Sequence, residues 1–87
     1  MEIVNNAEHR RFEAGKARLN YRMTGPATVE MVHTEVPAEY QGQGLAGKLA
    51  KTALEWARAQ GFKVVPSCSY IKGYIEKHPE YADLVQP

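Results

Sequence analysis

Gln41-Gly42-Gln43-Gly44-Leu45-Ala46-Gly47 is the stretch where the hydrophobic period of this chain changes. Before Pro37, apolar and polar residues alternate as in a strand. From Gly44 to Gln60, Leu45, Leu49, Ala53, Trp56 and Ala57 fall on one helical stripe. The glycine-rich stretch is therefore a strand-to-helix turn. Its backbone amides can face outward where the positive end of the helix dipole also points. Such a nest suits phosphate, because glycine lets an anion approach the amides and permits a positive φ at the bend. A plain tight loop is the alternative reading of the same residues.

Working outward from the turn, Ala46, Ala50 and Leu54 widen the helical stripe. Lys48, Lys51, Glu55 and Arg58 occupy the opposite side, and Gly61 stands where helices commonly end. Phe62 to Val65 reads as a short strand stopped by Pro66, and from Ser69 a second helix carries Tyr70, Ile71, Tyr74 and Ile75 until Pro79. Upstream, Ala17 to Met23 alternates without an error and pairs as a hairpin with His9 to Ala14 across Gly15-Lys16. A turn at Thr24-Gly25-Pro26 leads into Ala27 to Val36. Val29 and Met31 are expected on one face of that strand, with Val32, Thr34 and Val36 on the other. Two partly apolar faces predict a central strand. Ile3-Val4 adds a short edge strand. The fold class is α+β: antiparallel N-terminal strands, a central strand, the glycine turn and its helix, a short parallel strand and a C-terminal helix.

Eighty-seven residues predict a single domain, 1–87, with one core. Hydrophobic residues at 44% and charged residues at 24% are ordinary globular proportions. With 11 basic against 10 acidic residues, the net charge of +1 argues against a protein that wraps nucleic acid, and His9-Arg10-Arg11 is too short to claim it. The lone Cys68 cannot close an intramolecular disulfide. No apolar run resembles a signal peptide or membrane span, so a cytoplasmic setting is expected. No metal site is expected either, since the three histidines and one cysteine lack ligand spacing.

Gly42, Gly44 and Gly47 also spell GxGxxG, the dinucleotide fingerprint. That reading requires an acidic residue about 20 positions further on. The segment Val64-Val65-Pro66-Ser67-Cys68 has none, and antiparallel strands precede the motif. The nicotinamide reading is set aside. Gln41, Gly44 and Ala46 instead resemble the Q/R-x-x-G-x-G/A turn of the GNAT superfamily of acetyl-coenzyme A-dependent N-acetyltransferases. The order of elements agrees with that superfamily. His33-Thr34-Glu35-Val36-Pro37, the glycine turn, Pro66-Ser67-Cys68 and Tyr74 followed by His78-Pro79 are similar to its very small, single-domain GNAT-like family. Gln41 stands where many members carry arginine, leaving one positive charge fewer near the phosphates.

The resemblance implies acetyl-coenzyme A as cofactor and an amine as acceptor. The pyrophosphate would sit on Gln41, Gly42, Gln43, Gly44, Leu45 and Ala46. The pantetheine arm would pair with the backbone of Thr34, Glu35 and Val36 in a gap between splayed parallel strands. Lys48 could meet a phosphate as a point charge, a solvated helix face being the alternative. For catalysis, His33 is a candidate base whose alternative is a histidine satisfied by a backbone carbonyl. Glu30 competes with it, or serves as a partner for Arg18 or Arg22. Cys68 could carry the acetyl group or form a mixed disulfide with coenzyme A, especially beside His33, its alternative being a small buried hydrophobe. Tyr74, seven residues after Ser67, matches a tyrosine that protonates sulfur in many GNAT enzymes, but it also fits a packing stripe. His78-Pro79 ends the helix. So short a chain has little room for the elements that shape an acceptor pocket, so an open acceptor side is expected, suited to a protein tail or another exposed amine, with a site completed by another subunit as the alternative. A monomer is expected, with a weak dimer as the alternative. A coenzyme A-binding module or thiol-state sensor without catalysis is the competing function.

Overall fold

Ala14 and Ala17 face each other across Gly15-Lys16, and the alternation on either side sets the rest of the sheet. The computed structural model describes residues 2–86; Met1 and Pro87, the ends of the expected domain, lie outside the described residues. Five strands, β1 (Val4–Asn6), β2 (Arg11–Ala14), β3 (Ala17–Gly25), β4 (Thr28–Glu35) and β5 (Lys63–Pro66), form one sheet in the order β1-β2-β3-β4-β5. The first four pair antiparallel, and β5 joins β4 in parallel. The edge strand begins at Val4, one residue later than Ile3-Val4 suggests. A parallel neighbour needs a crossover, and helix α1 (Leu45–Gln60) supplies it. Helix α2 (Ser69–Lys77) follows β5, and His78 caps its C-terminal end as His78-Pro79 predicts.

The fold has two layers. Phe12, Ala14, Ala17, Leu19, Tyr21, Val29, Met31 and Val64 are buried on the sheet face that meets the helices. α1 returns Leu45, Leu49, Ala53, Leu54 and Ala57 to them, and α2 returns Ile71 and Ile75. Phe12, Tyr21, Trp56 and Phe62 close one end of this core with ring centroids 4.9–5.5 Å apart in tilted or edge-on contact. The other sheet face is polar and open. Cross-strand pairs there join Arg18 to Glu35 at 3.3 Å and Arg22 to Glu30 at 2.5 Å.

The faces of β4 differ from those the alternation predicts. Tyr21 pairs with Met31 and Asn20 with His33, so Val32 is an extra residue, a β-bulge. The bulge flips the alternation. Thr34, paired with buried Leu19, shares the helix-side face with Met31, and Val36 packs against the core, while Val32 is exposed. An unbroken period of two would have put Thr34 and Val36 opposite Met31.

A 3-10 turn over Pro79–Leu84 was not legible from the pattern. It is fastened to α1 and β5 by several polar contacts. Arg58 donates to both carboxylate oxygens of Asp83 at 3.0 and 3.1 Å, Tyr81 donates to Glu55 at 2.6 Å, and Lys63 Nζ donates to the Asp83 carbonyl at 2.7 Å. No helix among the described residues is long and apolar enough to cross a membrane.

Candidate functional site

The pairing of β4 with β5 runs from Thr28 opposite Lys63 to Met31 opposite Pro66 and stops there. A last bond, from the Cys68 amide to the Met31 carbonyl at 3.0 Å, closes the seam. Beyond it β4 continues to Glu35 while the other chain turns away into α2, so the two strands part like a V. The bulge at Val32 lies at the point of parting.

The glycine turn stands at the open end of that V. Gly42 and Gly44 adopt φ of +86° and +69°, and a Cβ at either would meet nothing within 4 Å. Positive φ, rather than crowding, is what selects glycine there. Gly44 is the N-cap of α1 and offers no side chain to it. The helical ladder begins with the Lys48 amide bonded to the Gly44 carbonyl at 3.2 Å, leaving the amides of Leu45, Ala46 and Gly47 without an intrahelical acceptor. They border a cleft of about 280 Å³ whose walls include Val36, Tyr40, Gly42, Gly44, Ala46 and Tyr70. Gln41 also lines it and donates from Nε2 to the Val36 carbonyl at 3.3 Å, tying the end of the strand to the turn. Gln43 and Lys48 are exposed and are not among the residues that line the cleft.

The catalytic candidates divide between the two sheet faces. Cys68 is buried at the N-cap of α2, with Sγ 3.5 Å from Thr34 Oγ1. His33 pairs with Asn20 on the open face, where its Nε2 lies 3.9 Å from Glu35. A His33 beside Cys68 would have favoured a reactive thiol, but the bulge turns Thr34 toward the thiol and His33 to the other face. Glu30 is also on the open face, held by Ser67 and Arg22. These hydrogen bonds, that of Ser67 foremost, hold its carboxyl below the ordinary value and keep it ionised. It is thus a poor proton acceptor, and its partnership with Arg22 is the role seen. Tyr74 stacks on His78 with centroids 4.1 Å apart and also approaches Tyr70 and Tyr81. Burial raises its phenol above the usual tyrosine value. Its ring is part of the packing stripe of α2, and its Cε2 lies 3.9 Å from where a Cβ on Gly47 would stand, at the wall of the glycine-turn cleft.

Tyr70 lines the cleft from α2, as Tyr40 does from the segment leading into the turn. The Tyr70 hydroxyl lies 3.5 Å from where a Cβ on Gly47 would stand. Sequence reasoning placed Tyr70 in the buried stripe and left Tyr40 unassigned. The available signal was the third glycine of GxGxxG, since Gly47 marks where α1 and α2 approach closely.

A family model described as GCN5-related N-acetyl-transferase matches residues 7–84. The chain belongs to the GCN5-related N-acetyltransferase family. Among relatives of this N-acetyltransferase domain, Protein NATD1 of Xenopus tropicalis is 36% identical over 74 residues, covering 83% of this chain and 68% of that protein. Protein NATD1 of Mus musculus is 38% identical over 74 residues, covering 83% and 67%. The fold is similar to the NMR solution structure of a GCN5-like protein from Staphylococcus aureus, with a TM-score of 0.79 at 32% identity over 98% of this chain and 87% of that one. The mixed five-stranded sheet with helices is thus the α+β architecture expected of an N-acetyltransferase domain.

Proposed function

We propose that this domain binds acetyl-coenzyme A in the V between β4 and β5 and catalyses acetyl transfer to an amine. The observation that carries the reading is the parting of the two parallel strands directly beside a helix N-terminus lined by left-handed glycines. The residues suit the cofactor. The amides of Leu45, Ala46 and Gly47, with the dipole of α1 behind them, would hold the pyrophosphate, and Gly42 and Gly44 keep side chains out of its way. The backbone of Thr34 and Glu35 at the end of β4, and of Val36 just beyond it, is not paired with β5 and would bond the amides of the pantetheine arm as an added strand would.

Bound there, the cofactor supplies a thioester whose carbonyl carbon accepts the amine lone pair: a C–N bond forms, the C–S bond breaks, the amine gives up a proton and the departing sulfur takes one. Cys68 and Thr34 line the helix side of the V near its apex, and His33 lies on the open side, from which an acceptor can approach without displacing the core. With Glu30 engaged by Arg22 and Ser67, His33 is the better candidate to take the amine proton.

Calorimetry and intact mass of the wild type and Cys68→Ala with acetyl-coenzyme A test this reading. Micromolar binding and coenzyme A release with an amine panel are expected. A gain of one acetyl group on the wild type alone, mapped to Cys68, would assign an acyl-cysteine route, while turnover by Cys68→Ala would assign direct transfer. Binding without release would leave a coenzyme A-binding module, and absence of binding would refute the proposal.

A further inference from the structure

Glu13, Glu30 and Glu35 lie on the open face of the sheet, where Glu13 and Glu35 flank Arg18 and Glu30 stands opposite Arg22. Two of these carboxylates have both oxygens engaged. Glu13 accepts from Asn6 on one and Arg11 on the other, and Glu30 accepts from Arg22 and Ser67 in the same way. Glu35 differs. Arg18 reaches only its Oε1, at 3.3 Å through one terminal nitrogen, and the Arg18 Nε is buried without a partner, so the two-pronged grip that arginine can give a carboxylate is not made. Among the described residues nothing bonds Glu35 Oε2.

On its other side Glu35 meets His33. Two residues apart on one strand, the side chains share a face, and His33 Nε2 lies 3.9 Å from Glu35 Oε1, within ion-pair range. Across the ladder His33 faces the neutral Asn20, while the nearby charges of Arg18, Arg22 and Glu30 are each paired. A neutral imidazole carries one hydrogen, and a carboxylate beside Nε2 favours it there, which leaves Nδ1 as the basic nitrogen.

We propose that Glu35 is a positioning residue for acetyl transfer: its carboxylate turns the Nε2–H of His33 toward itself, leaves Nδ1 to take the amine proton, and stabilises the imidazolium that results. The inference rests on the acetyl-transfer reading. In the step, the amine lone pair forms the C–N bond, the amine proton passes to Nδ1, and the C–S pair leaves on the coenzyme A sulfur, which water protonates. Glu35 itself neither gains nor loses a proton. This side-chain role is separate from the pairing proposed for the Glu35 backbone with the pantetheine arm. Both side chains are at least half exposed, so screening holds the effect to the roughly twofold to fivefold of an exposed ion pair.

The test measures coenzyme A release at saturating acetyl-coenzyme A, with spermidine, a lysine-rich peptide and an arylamine as acceptors, for the wild type, Glu35→Gln, His33→Ala and the double variant. Thermal melts confirm that each variant folds. Glu35→Gln should lower kcat by about twofold to fivefold, and the deficit should shrink as salt rises from about 0.1 M to about 1 M. In the His33→Ala background the same substitution should change nothing, because Glu35 acts through the ring; a merely structural role would slow both backgrounds alike. The salt comparison needs no His33 variant and decides alone where His33→Ala is too slow to measure. An unchanged kcat in Glu35→Gln, an equal deficit in both backgrounds, or a deficit indifferent to salt would each overturn the role of Glu35 while leaving acetyl transfer intact. A wild type that releases no coenzyme A with any of the three acceptors would overturn both.

Discussion

Replacing Gly44 separates backbone strain from electrostatics in one experiment. Gly44 has φ of +69° and open space where a Cβ would stand, so Gly44→Ala introduces no clash. It forces a side-chain-bearing residue into the left-handed region, at about 1–2 kcal/mol. In a domain of this size each kcal/mol moves Tm by about 4–8 °C. Gly44→Glu carries the same strain and adds a carboxylate at the mouth of the amide nest. Two unit charges about 4 Å apart near a protein surface repel by on the order of 4 kcal/mol before salt screening, enough to weaken acetyl-coenzyme A binding a hundredfold or more. Gly61→Ala is the control. Gly61 ends α1 at φ +76°, also with nothing within 4 Å of its Cβ position, so its substitution repeats the strain at the far end of the same helix. Thermal melts with calorimetry should show three similar losses of Tm but a collapse of affinity in Gly44→Glu only. Wild-type affinity in Gly44→Glu would refute the phosphate role of the turn. An equal loss of affinity in Gly61→Ala would show that binding follows stability rather than charge.

Two further outcomes concern the core and the C-terminal clasp. Leu49 is fully buried between α1 and the sheet, and Leu49→Ala should lower the urea-derived unfolding free energy by about 2–5 kcal/mol; a loss under 1 kcal/mol would mean that the layers can collapse around it. The hydrogen bond from Tyr81 to Glu55, with burial, pushes the Tyr81 phenol from 10.0 up to about 12. A raised folded-state value means that the contribution is complete below pH 10 and lost as pH climbs toward 12. Tyr81→Phe should cost about 1 kcal/mol at neutral pH and flatten this part of the alkaline limb of a denaturation series; an identical limb in the variant would sink the assignment.

The elements were legible where a period ran long enough to declare itself. Ala17 to Met23 and the stripe from Leu45 to Ala57 carry their structure in spacing, because a strand or helix with one buried face has no other way to satisfy it. The glycine turn was legible as backbone chemistry, since positive φ at Gly42 and Gly44 leaves a compositional mark. The bulge at Val32 left none. Val32 is as apolar as its neighbours, and a one-residue insertion shows only in the register against Asn20 and Tyr21, a long-range fact. The Pro79–Leu84 turn was hidden for a related reason: its hold on Arg58, Glu55 and Lys63 depends on partners about 20 or more residues away.

The same bulge decides how the catalytic candidates can be combined. A cysteine activated by a neighbouring imidazole needs both on one side of the backbone, and an unbroken strand would have set His33 on the face of Met31, toward Cys68. The extra residue removes that pairing and leaves Cys68 with the hydroxyl of Thr34 instead. His33 is left on the open side of the sheet, beside Glu35 and away from the buried core. A thiol on one face and a base on the other fits a base that serves the acceptor rather than the cysteine. Under the proposed acetyl transfer, an acyl-cysteine relay would need a second group to deprotonate a thiol that Thr34 already contacts, whereas direct transfer with His33 taking the amine proton would not.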